Sequence, residues 1–137
     1  MNYDQFMAAL CLWREARGCS LPTLAAVYQV ILNRSTDAQR RFPRTLAGVV
    51  LQHMQFSSFN ADDPNSTKFP MPPAPGAQLT SDWKAWLDCQ MVVQSPIGGD
   101  STGGATNYED CADDKLPAWA QPDKLTAQIG PFRFYKL

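Results

Sequence analysis

Two apolar patterns at helical spacing follow each other at the start of the chain and are separated by one glycine. The first pattern repeats every three or four positions, as one face of a helix does: Phe6, Ala9, Leu10 and Trp13. Asn2 or Asp4 can cap the start of this helix, and Gly18 can adopt the left-handed conformation that ends it. We therefore predict a first helix that has Glu15 in its last turn.

The second pattern predicts a helix that begins near Ser20, with Pro22 in the first turn, where proline is tolerated. Its apolar positions cover a broad face: Leu24, Ala25, Val27, Tyr28, Ile31 and Leu32. A face of this width is typical of a helix with neighbours on several sides. We therefore expect a buried, central helix.

Prolines divide the chain after these two helices. Phe42-Pro43 interrupts it, and Thr45 can cap a short third helix whose pattern comprises Leu46, Val49, Val50 and His53. Residues 55–59 look extended. Residues 60–78 then contain prolines at positions 64, 70, 72, 73 and 75, which exclude regular structure. Because a loop this long inside a compact domain is usually functional, we interpret it as a wall of a substrate cleft.

The second half of the chain begins with another amphipathic pattern. Thr80 or Ser81 can cap this helix, Pro96 closes it, and its apolar positions are Trp83, Trp86, Leu87, Met91 and Val92. Short extended segments follow at residues 105–108, 125–129 and 132–137. The sequence therefore predicts a single domain over residues 1–137 of the α+β class, mainly helical, with a small β-sheet.

Charge and cysteine content exclude several classes of function. The net charge of −1 and the scattered basic residues do not suit nucleic acid, and no apolar stretch approaches the roughly 20 residues of a membrane span. His53 is the only histidine, and the cysteines at positions 11, 19, 89 and 111 lack metal-ligand spacing. We expect a monomer without metal or cofactor. Free, buried thiols are favoured over disulfides, which remain an alternative.

Glu15 is the first candidate for chemistry, since it and Glu109 are the only glutamates. A carboxyl group in the last turn of a helix faces the negative end of the helix dipole, and Ala8 and Leu12 precede it on the same face. Both effects would raise its pKa and keep it protonated, as a general acid requires. The alternative is an exposed glutamate beside Arg14, and the helix pattern alone favours that alternative.

Six sequence blocks resemble, in order, those of the cell-wall hydrolases related to spore cortex-lytic enzymes, the SleB-like family. The first block, Trp13-Arg14-Glu15-Ala16-Arg17-Gly18, resembles the signature W-G-E-A-R-G. The remaining blocks run from the second helix to the C-terminal strands: Ala25–Val27 with Ile31–Arg34, Phe42-Pro43 with Gly48–Val50, Gln55–Ser57, Gly103–Thr106 with Tyr108, and Pro117–Ala120 with Ile129-Gly130 and Phe134-Tyr135. Their order over nearly the whole chain makes the resemblance specific.

The resemblance implies a lysozyme-like fold in which Glu15 is the catalytic acid and the substrate is the glycan strand of peptidoglycan. It also implies substrate contacts in two segments: Gln55, Phe56 and Ser57 in the first, and Gly104, Ala105, Thr106 and Tyr108 in the second. For Tyr108 the alternative is a core tyrosine with its hydroxyl at the surface. Three positions depart from the family pattern, since Arg14 replaces a small residue, Cys19 an acidic one, and Phe132 a histidine.

The predicted reaction is cleavage between N-acetylmuramic acid and N-acetylglucosamine by a lytic transglycosylase. A hydrolytic muramidase is the alternative, and it would need a second carboxylate, for which Asp62, Asp63 and Asp100 are candidates. A cysteine-dependent peptidase using Cys19 with His53, or a noncatalytic glycan-binding module, are further alternatives. No export signal is visible, so we expect a phage or prophage enzyme made in the bacterial cytoplasm that acts on the cell wall.

Overall fold

The structure of the protein is a computed structural model that describes residues 1–52, 81–95 and 98–137. Its elements, in chain order, are the helices α1 (Tyr3–Ala16), α2 (Leu21–Ser35), α3 (Leu46–Leu51) and α4 (Ser81–Gln94) and the strands β1 (Asn107–Asp110), β2 (Leu125–Ile129) and β3 (Phe132–Tyr135). A short 3-10 turn, Pro122–Lys124, leads into β2. The predicted α+β class, mainly helical with a small sheet, is confirmed.

Helix α1 is the central helix of the described part of the chain. It begins with a capping box, in which Asn2 accepts from the Gln5 backbone N–H and the Gln5 side chain accepts from Asn2. All residues from Met7 to Trp13 are buried, and the helix packs against α2, α3 and α4. As predicted, the chain turns at Gly18, whose φ is +82°.

Helix α2 connects the helical layer to the sheet. It begins at Leu21, beside the predicted start near Ser20, and Pro22 lies in the first turn as predicted. The helix packs against α1, α3 and α4 and also against β1 and β2. It is buried as predicted, but the central position belongs to α1, because alanine and cysteine in α1 allow close packing on all sides of that helix.

Helix α3 is held at its N-terminus by two side chains. Thr45 accepts from the Gly48 backbone N–H at 3.0 Å, as its predicted capping role requires. Asp4, which the sequence suggested as an alternative cap of α1, instead accepts from the Ala47 backbone N–H at 3.0 Å. The Asp4 side chain of α1 therefore accepts from a backbone N–H in the first turn of α3, which has no acceptor within that helix.

Helix α4 packs its Trp86 ring edge-on against Phe6 and Trp13 at centroid distances of 6.1 and 6.2 Å. The predicted pattern of this helix was partly wrong, because Leu87 and Met91 are each 46% exposed. The buried face instead comprises Ala85, Trp86, Cys89, Val92 and Val93.

The sheet is antiparallel in the order β1-β3-β2, so the last strand of the chain lies in the middle. Tyr108 of β1 lies opposite Phe134 of β3. The turn between β2 and β3 contains Gly130 at a φ of +55°, and it lies against Thr23 near the start of α2. β1 begins two residues later than predicted, and β3 ends at Tyr135, two residues earlier. Among the described helices, none combines the length and apolar character needed to cross a membrane.

Candidate functional site

Glu15 lies half-buried in the last turn of α1, one helical turn after Cys11 and on the same face. Burial raises the pKa of the Cys11 thiol well above its ordinary value, and the negative charge of Glu15 adds to this effect. The pKa of the Tyr108 phenol is likewise raised, first by burial and then by the charge of Glu15. The charge of Glu15 thus acts on Cys11 in its own helix and on Tyr108 of β1.

Tyr108 lies on the face of the sheet that packs against the helices. Its ring contacts Phe132 at a centroid distance of 5.2 Å and Phe134 at 5.9 Å. Phe132, the residue that departs from the family's histidine, is thus buried beside Tyr108. Two aromatic rings fix the orientation of the phenol, and because its pKa is raised the hydroxyl keeps its proton at neutral pH.

Arg34, at the end of α2, places a buried cation where α2 packs against β1. The residue is only 3% exposed, and its Nε donates to the Thr106 carbonyl oxygen at 2.6 Å. The guanidinium lies over the Phe42 ring at 5.2 Å. Burial lowers its pKa to about 10, against the opposing influence of Tyr108 and Cys11, so it remains charged at neutral pH.

Asn33, the residue before Arg34, holds the loop that precedes β1. Its Nδ2 donates to the Ala105 carbonyl oxygen at 2.8 Å and to Asp100 at 3.2 Å. Asp100 also accepts from Thr102 and from the Gly104 backbone N–H. Two consecutive residues of α2 therefore bind two consecutive carbonyl groups, of Ala105 and Thr106. Sequence reasoning gave neither Asn33 nor Arg34 a role, although both lie in a block that resembles the family.

The predicted contact segment Gly104–Thr106 is placed with its side chains largely inside the protein. Ala105 is fully buried and Thr106 is 4% exposed, whereas Gly104 is half-buried with a φ of +84°. The Lys136 side chain lies beside Gly104, where a Cβ would come within 3.5 Å of the ammonium nitrogen. Contact between these residues and substrate stays a prediction.

Several predicted features lie outside the described residues. These are the contacts Gln55, Phe56 and Ser57, the end of the third helix at His53, the proline-containing loop of residues 60–78 with Asp62 and Asp63, and the helix boundaries Thr80 and Pro96. Their predicted roles stay predictions.

Two other carboxylates near the sheet, Asp100 and Glu109, have well-defined partners. Burial alone would raise the pKa of Asp100, but hydrogen bonds from Thr102, Asn33 and Gly104 outweigh burial and lower it. Glu109 is 5% exposed and lies on the opposite face of the sheet from Tyr108, where it is paired with Arg133 and accepts from the Tyr135 hydroxyl at 3.1 Å.

The four cysteines are free thiols in this structure, and Cys11 and Cys89 are buried. Burial raises the pKa of Cys89 to about 12. The pKa of Cys19 is also raised, by burial and then by Asp110. A thiol with a raised pKa forms little thiolate at neutral pH, which disfavours Cys19 as the nucleophile of a peptidase. No group of residues suited to a metal ion occurs among the described residues.

This mainly helical α+β domain, with a half-buried glutamate in the last turn of its central helix, is of the lysozyme-like class. The sequence model of the family described as Cell Wall Hydrolase matches residues 21–135, and the chain belongs to this family. The matched segment begins after Glu15, so the family match by itself says nothing about that residue. The predictions of the family and of a cell-wall-degrading enzyme are confirmed.

Two solved structures extend the likeness to α1. The catalytic domain of the Bacillus cereus SleB protein is 28% identical with a TM-score of 0.63, over 97% of this chain and 89% of that chain. The catalytic domain of the germination-specific lytic transglycosylase SleB from Bacillus anthracis is 28% identical with a TM-score of 0.66, over 99% of this chain and 96% of that chain. A comparison with the curated proteins gives no match.

Proposed function

We propose that the protein is a peptidoglycan lytic transglycosylase that cleaves between N-acetylmuramic acid and N-acetylglucosamine. The observation that carries the proposal is the position of Glu15, half-buried at the end of α1 and beside Tyr108. The likeness to the SleB catalytic domain of Bacillus anthracis, a lytic transglycosylase, supports the type of reaction. The two chains are similar over the whole length that contains Glu15.

In this mechanism Glu15 serves first as acid and then as base. Its proton passes to the glycosidic oxygen as the bond to muramic acid C1 breaks, so the N-acetylglucosamine leaves as an alcohol. The Glu15 carboxylate then takes the proton of the C6 hydroxyl of the same muramic acid, while the C6 oxygen bonds to C1. The products are a 1,6-anhydro end and a protonated Glu15, so no water is consumed.

Two described carboxylates near the sheet, Asp100 and Glu109, are poorly suited to be the second carboxylate of a hydrolytic enzyme. A hydrolytic enzyme places a second carboxylate roughly 5 Å from the acid, or roughly 6.5–9.5 Å when that group activates water. Asp100 is engaged by the loop around Thr102 and Gly104, and Glu109 lies on the far face of the sheet with Arg133. Burial and the charge of Glu15 raise the pKa of Tyr108, so its hydroxyl stays protonated at neutral pH, as its predicted role as a substrate contact requires.

Mass spectrometry of the products distinguishes the two reactions. Purified peptidoglycan is digested with the protein, and a parallel digest with a hydrolytic muramidase provides the standard. We expect fragments that end in 1,6-anhydromuramic acid, one water lighter than the standard, and resistant to borohydride reduction. The digestion is repeated in water that contains heavy oxygen. Fragments with reducible ends that carry the heavy oxygen would instead identify a muramidase.

A variant with Glu15→Gln is the negative control for this experiment, since glutamine keeps the shape of the side chain but has no acidic proton. Asp114→Asn is a matched control, because Asp114 is an exposed carboxylate in the loop after β1. We expect anhydro products from the Asp114 variant and none from the Glu15 variant. If folded protein bound sacculi but released no fragment under any condition, the glycan-binding alternative would replace the enzymatic proposal.

A further inference from the structure

The loop of residues 100–106 precedes β1 and is held from the side of α2 by Asn33, which is half-buried. We infer that Asn33 is a positioning residue for the proposed reaction: its amide group holds this loop in the conformation in which the backbone of Gly103 and Gly104 binds the glycan strand. The inference rests on the proposed function, since the ligand is the strand that Glu15 cleaves. It assigns the reaction a residue outside the catalytic helix, and the contribution of this residue to binding can be measured separately from cleavage.

Both ends of the Asn33 amide group are bound. The Gln29 Nε2 donates to the Asn33 Oδ1 at 2.9 Å from one helical turn earlier, which fixes the direction in which the amide group faces. The Asn33 Nδ2 then donates to the Ala105 carbonyl oxygen at 2.8 Å and to Asp100 Oδ2 at 3.2 Å. Because one nitrogen binds the beginning and the end of the loop, Asn33 sets the distance between Asp100 and Ala105.

The loop is braced internally by Asp100 and Thr102. Asp100 accepts from the backbone N–H of Thr102 at 2.7 Å and from that of Gly104 at 2.9 Å. Thr102 is fully buried, and its hydroxyl accepts from the Ala105 backbone N–H at 3.2 Å. On the other side, the Thr126 hydroxyl of β2 donates to the Thr102 carbonyl oxygen at 2.6 Å. The loop is therefore fixed both to α2 and to β2.

These contacts leave the backbone at Gly103 and Gly104 available. Within the described part of the chain, the Gly103 N–H and the carbonyl oxygens of both glycines accept or donate no hydrogen bond. Gly103 is exposed and Gly104 half-buried, with φ angles of +69° and +84° that glycine adopts without steric cost. The carbonyl groups can accept from the hydroxyl and acetamido N–H groups of a glycan, and a ligand that binds them breaks none of the bonds that hold the loop.

The loop leads directly into the strand that carries Tyr108. Gly104 precedes Tyr108 by four residues, so the Cα atoms of the two residues lie within about 14 Å of each other. The resemblance to the family implies substrate contacts at both residues. A glycan strand is a polymer of sugars and can contact the loop while one of its glycosidic bonds lies at Glu15. Contacts of this kind, remote from the bond that breaks, contribute to binding equally before and during the reaction.

Binding is measured in the Glu15→Gln protein, which by the proposed function does not cleave the strand. In this background Asn33→Ala removes both bonds from the amide group to the loop. The matched control is Thr45→Ala, which removes the cap of α3 and lowers stability without a change in the loop. Isothermal titration calorimetry with soluble, uncrosslinked glycan strands gives the Kd, and amide NMR spectra follow Gly103 and Gly104.

We expect Asn33→Ala to raise the Kd about fivefold, the effect of losing about one net hydrogen bond, and Thr45→Ala to leave it unchanged. With Glu15 intact, the KM of Asn33→Ala should rise by a similar factor while kcat changes less than about twofold. The amide signals of Gly103 and Gly104 should shift when strands are added. A folded Asn33→Ala protein with an unchanged Kd would overturn the inference and leave Asn33 a purely structural residue.

The remaining outcomes also decide. If Asn33→Ala does not fold, Gln29→Ala takes its place, because it releases the orientation of the Asn33 amide group and removes no contact with the loop. A rise of about threefold in Kd then supports the inference, and an unchanged Kd contradicts it. Full activity of Glu15→Gln would overturn the proposed function, whereas failure of the Asn33 test leaves the loss of activity in Glu15→Gln unchanged.

Discussion

The two glutamates of the chain lie in opposite kinds of surroundings. Glu109 is 5% exposed, is paired with Arg133 and accepts from Tyr135, and it lies on the face of the sheet away from α1. Glu15 is only half-buried, and its charge helps to raise the pKa of Tyr108 and of Cys11. The deeper glutamate is committed to a guanidinium and a hydroxyl, and the shallower one is our candidate for the catalytic acid.

This difference shows that burial by itself does not identify a catalytic acid. A buried carboxylate with a bound guanidinium has both oxygens committed, so it contributes to the fold. A half-buried carboxyl group can change its protonation state during a reaction more readily than one that is fixed in a buried ion pair. Substitutions can test whether Glu15 acts in catalysis and Glu109 in the stability of the fold.

Replacement of Glu15 by Gln should abolish most of the activity. General acid–base catalysis contributes roughly 10²–10⁴-fold, and glutamine removes the proton that is transferred. We expect a loss of at least about 100-fold in the release of soluble fragments from peptidoglycan, with the thermal unfolding transition close to that of the wild type. Activity within a fewfold of the wild type in a folded protein would remove Glu15 from the mechanism.

Replacement of Glu109 by Gln should show the reverse behaviour. The Arg133 side chain is 28% exposed and can regain water, so the cost is that of lost charge-assisted hydrogen bonds, about 2 kcal/mol in the free energy of unfolding. Denaturant unfolding measures this loss. Turnover per folded molecule should stay near the wild-type value, and a selective loss of turnover would show that both glutamates take part in catalysis.

Gly130→Ala tests how the turn between β2 and β3 seats the sheet on α2. The φ of +55° disfavours alanine by about 1–2 kcal/mol, and the new Cβ would collide with Oγ1 of Thr23 and lie 3.1 Å from its Cγ2. We expect a loss of about 2 kcal/mol in unfolding free energy. The matched control is Gly99→Ala, since a Cβ there meets nothing within 4 Å.

A second variant divides the Gly130 effect into its two parts. Thr23→Ala in the Gly130→Ala background removes the collision but not the backbone strain. The double-mutant cycle should therefore recover part of the loss. If Gly130→Ala is as stable as Gly99→Ala, the sheet does not depend on this contact for its position.

Asp100→Asn tests whether Asp100 only stabilises its loop or also acts as a second catalytic carboxylate. Asparagine loses acceptor capacity for Thr102 and Gly104, so we expect a loss of about 1 kcal/mol in stability and less than tenfold in activity. A loss as large as that of Glu15→Gln, in a folded protein that releases reducing ends, would identify Asp100 as the partner of a hydrolytic mechanism.

The pH dependence of stability gives a further, smaller effect at Asp100. Because its pKa is lowered in the folded protein, its contribution is present above the unfolded value of about 3.9 and is lost as the pH falls through the folded value. The free energy of unfolding of the wild type should therefore fall in this acidic range. The Asp100→Asn variant should show a weaker dependence there.

The local features of the fold were predictable because they depend on neighbouring residues. Asn2 and Thr45 cap helices at their predicted positions, and Gly18 has the predicted left-handed conformation. The hairpin of β2 and β3 also follows from local turn signals at Gly130 and Pro131. Glu15 was a candidate as one of two glutamates, the resemblance favoured it as the catalytic acid, and its place in the last turn of α1 followed from helical spacing.

The contacts between distant residues could not be predicted in this way. Asn33 and Arg34 reach carbonyl groups 72 residues further along the chain, and no sequence pattern marks a side chain that binds backbone oxygens. The exposure of Leu87 and Met91 depends on which neighbours α4 finds, which its own pattern does not contain. The partners of Glu109 are likewise a product of strand register, which places it opposite Arg133.

The strand order has a consequence for synthesis. β3 follows β1 and β2 along the chain, and among the described strands both pair with it, so neither can form this ladder on a nascent chain that lacks β3. Glu15 leaves the ribosome more than 100 residues before Phe132 and Phe134, and Tyr108 gains its ring contacts only with those two residues. The surroundings of Tyr108 should therefore form only once β3 has been synthesised, and shorter nascent chains should lack them.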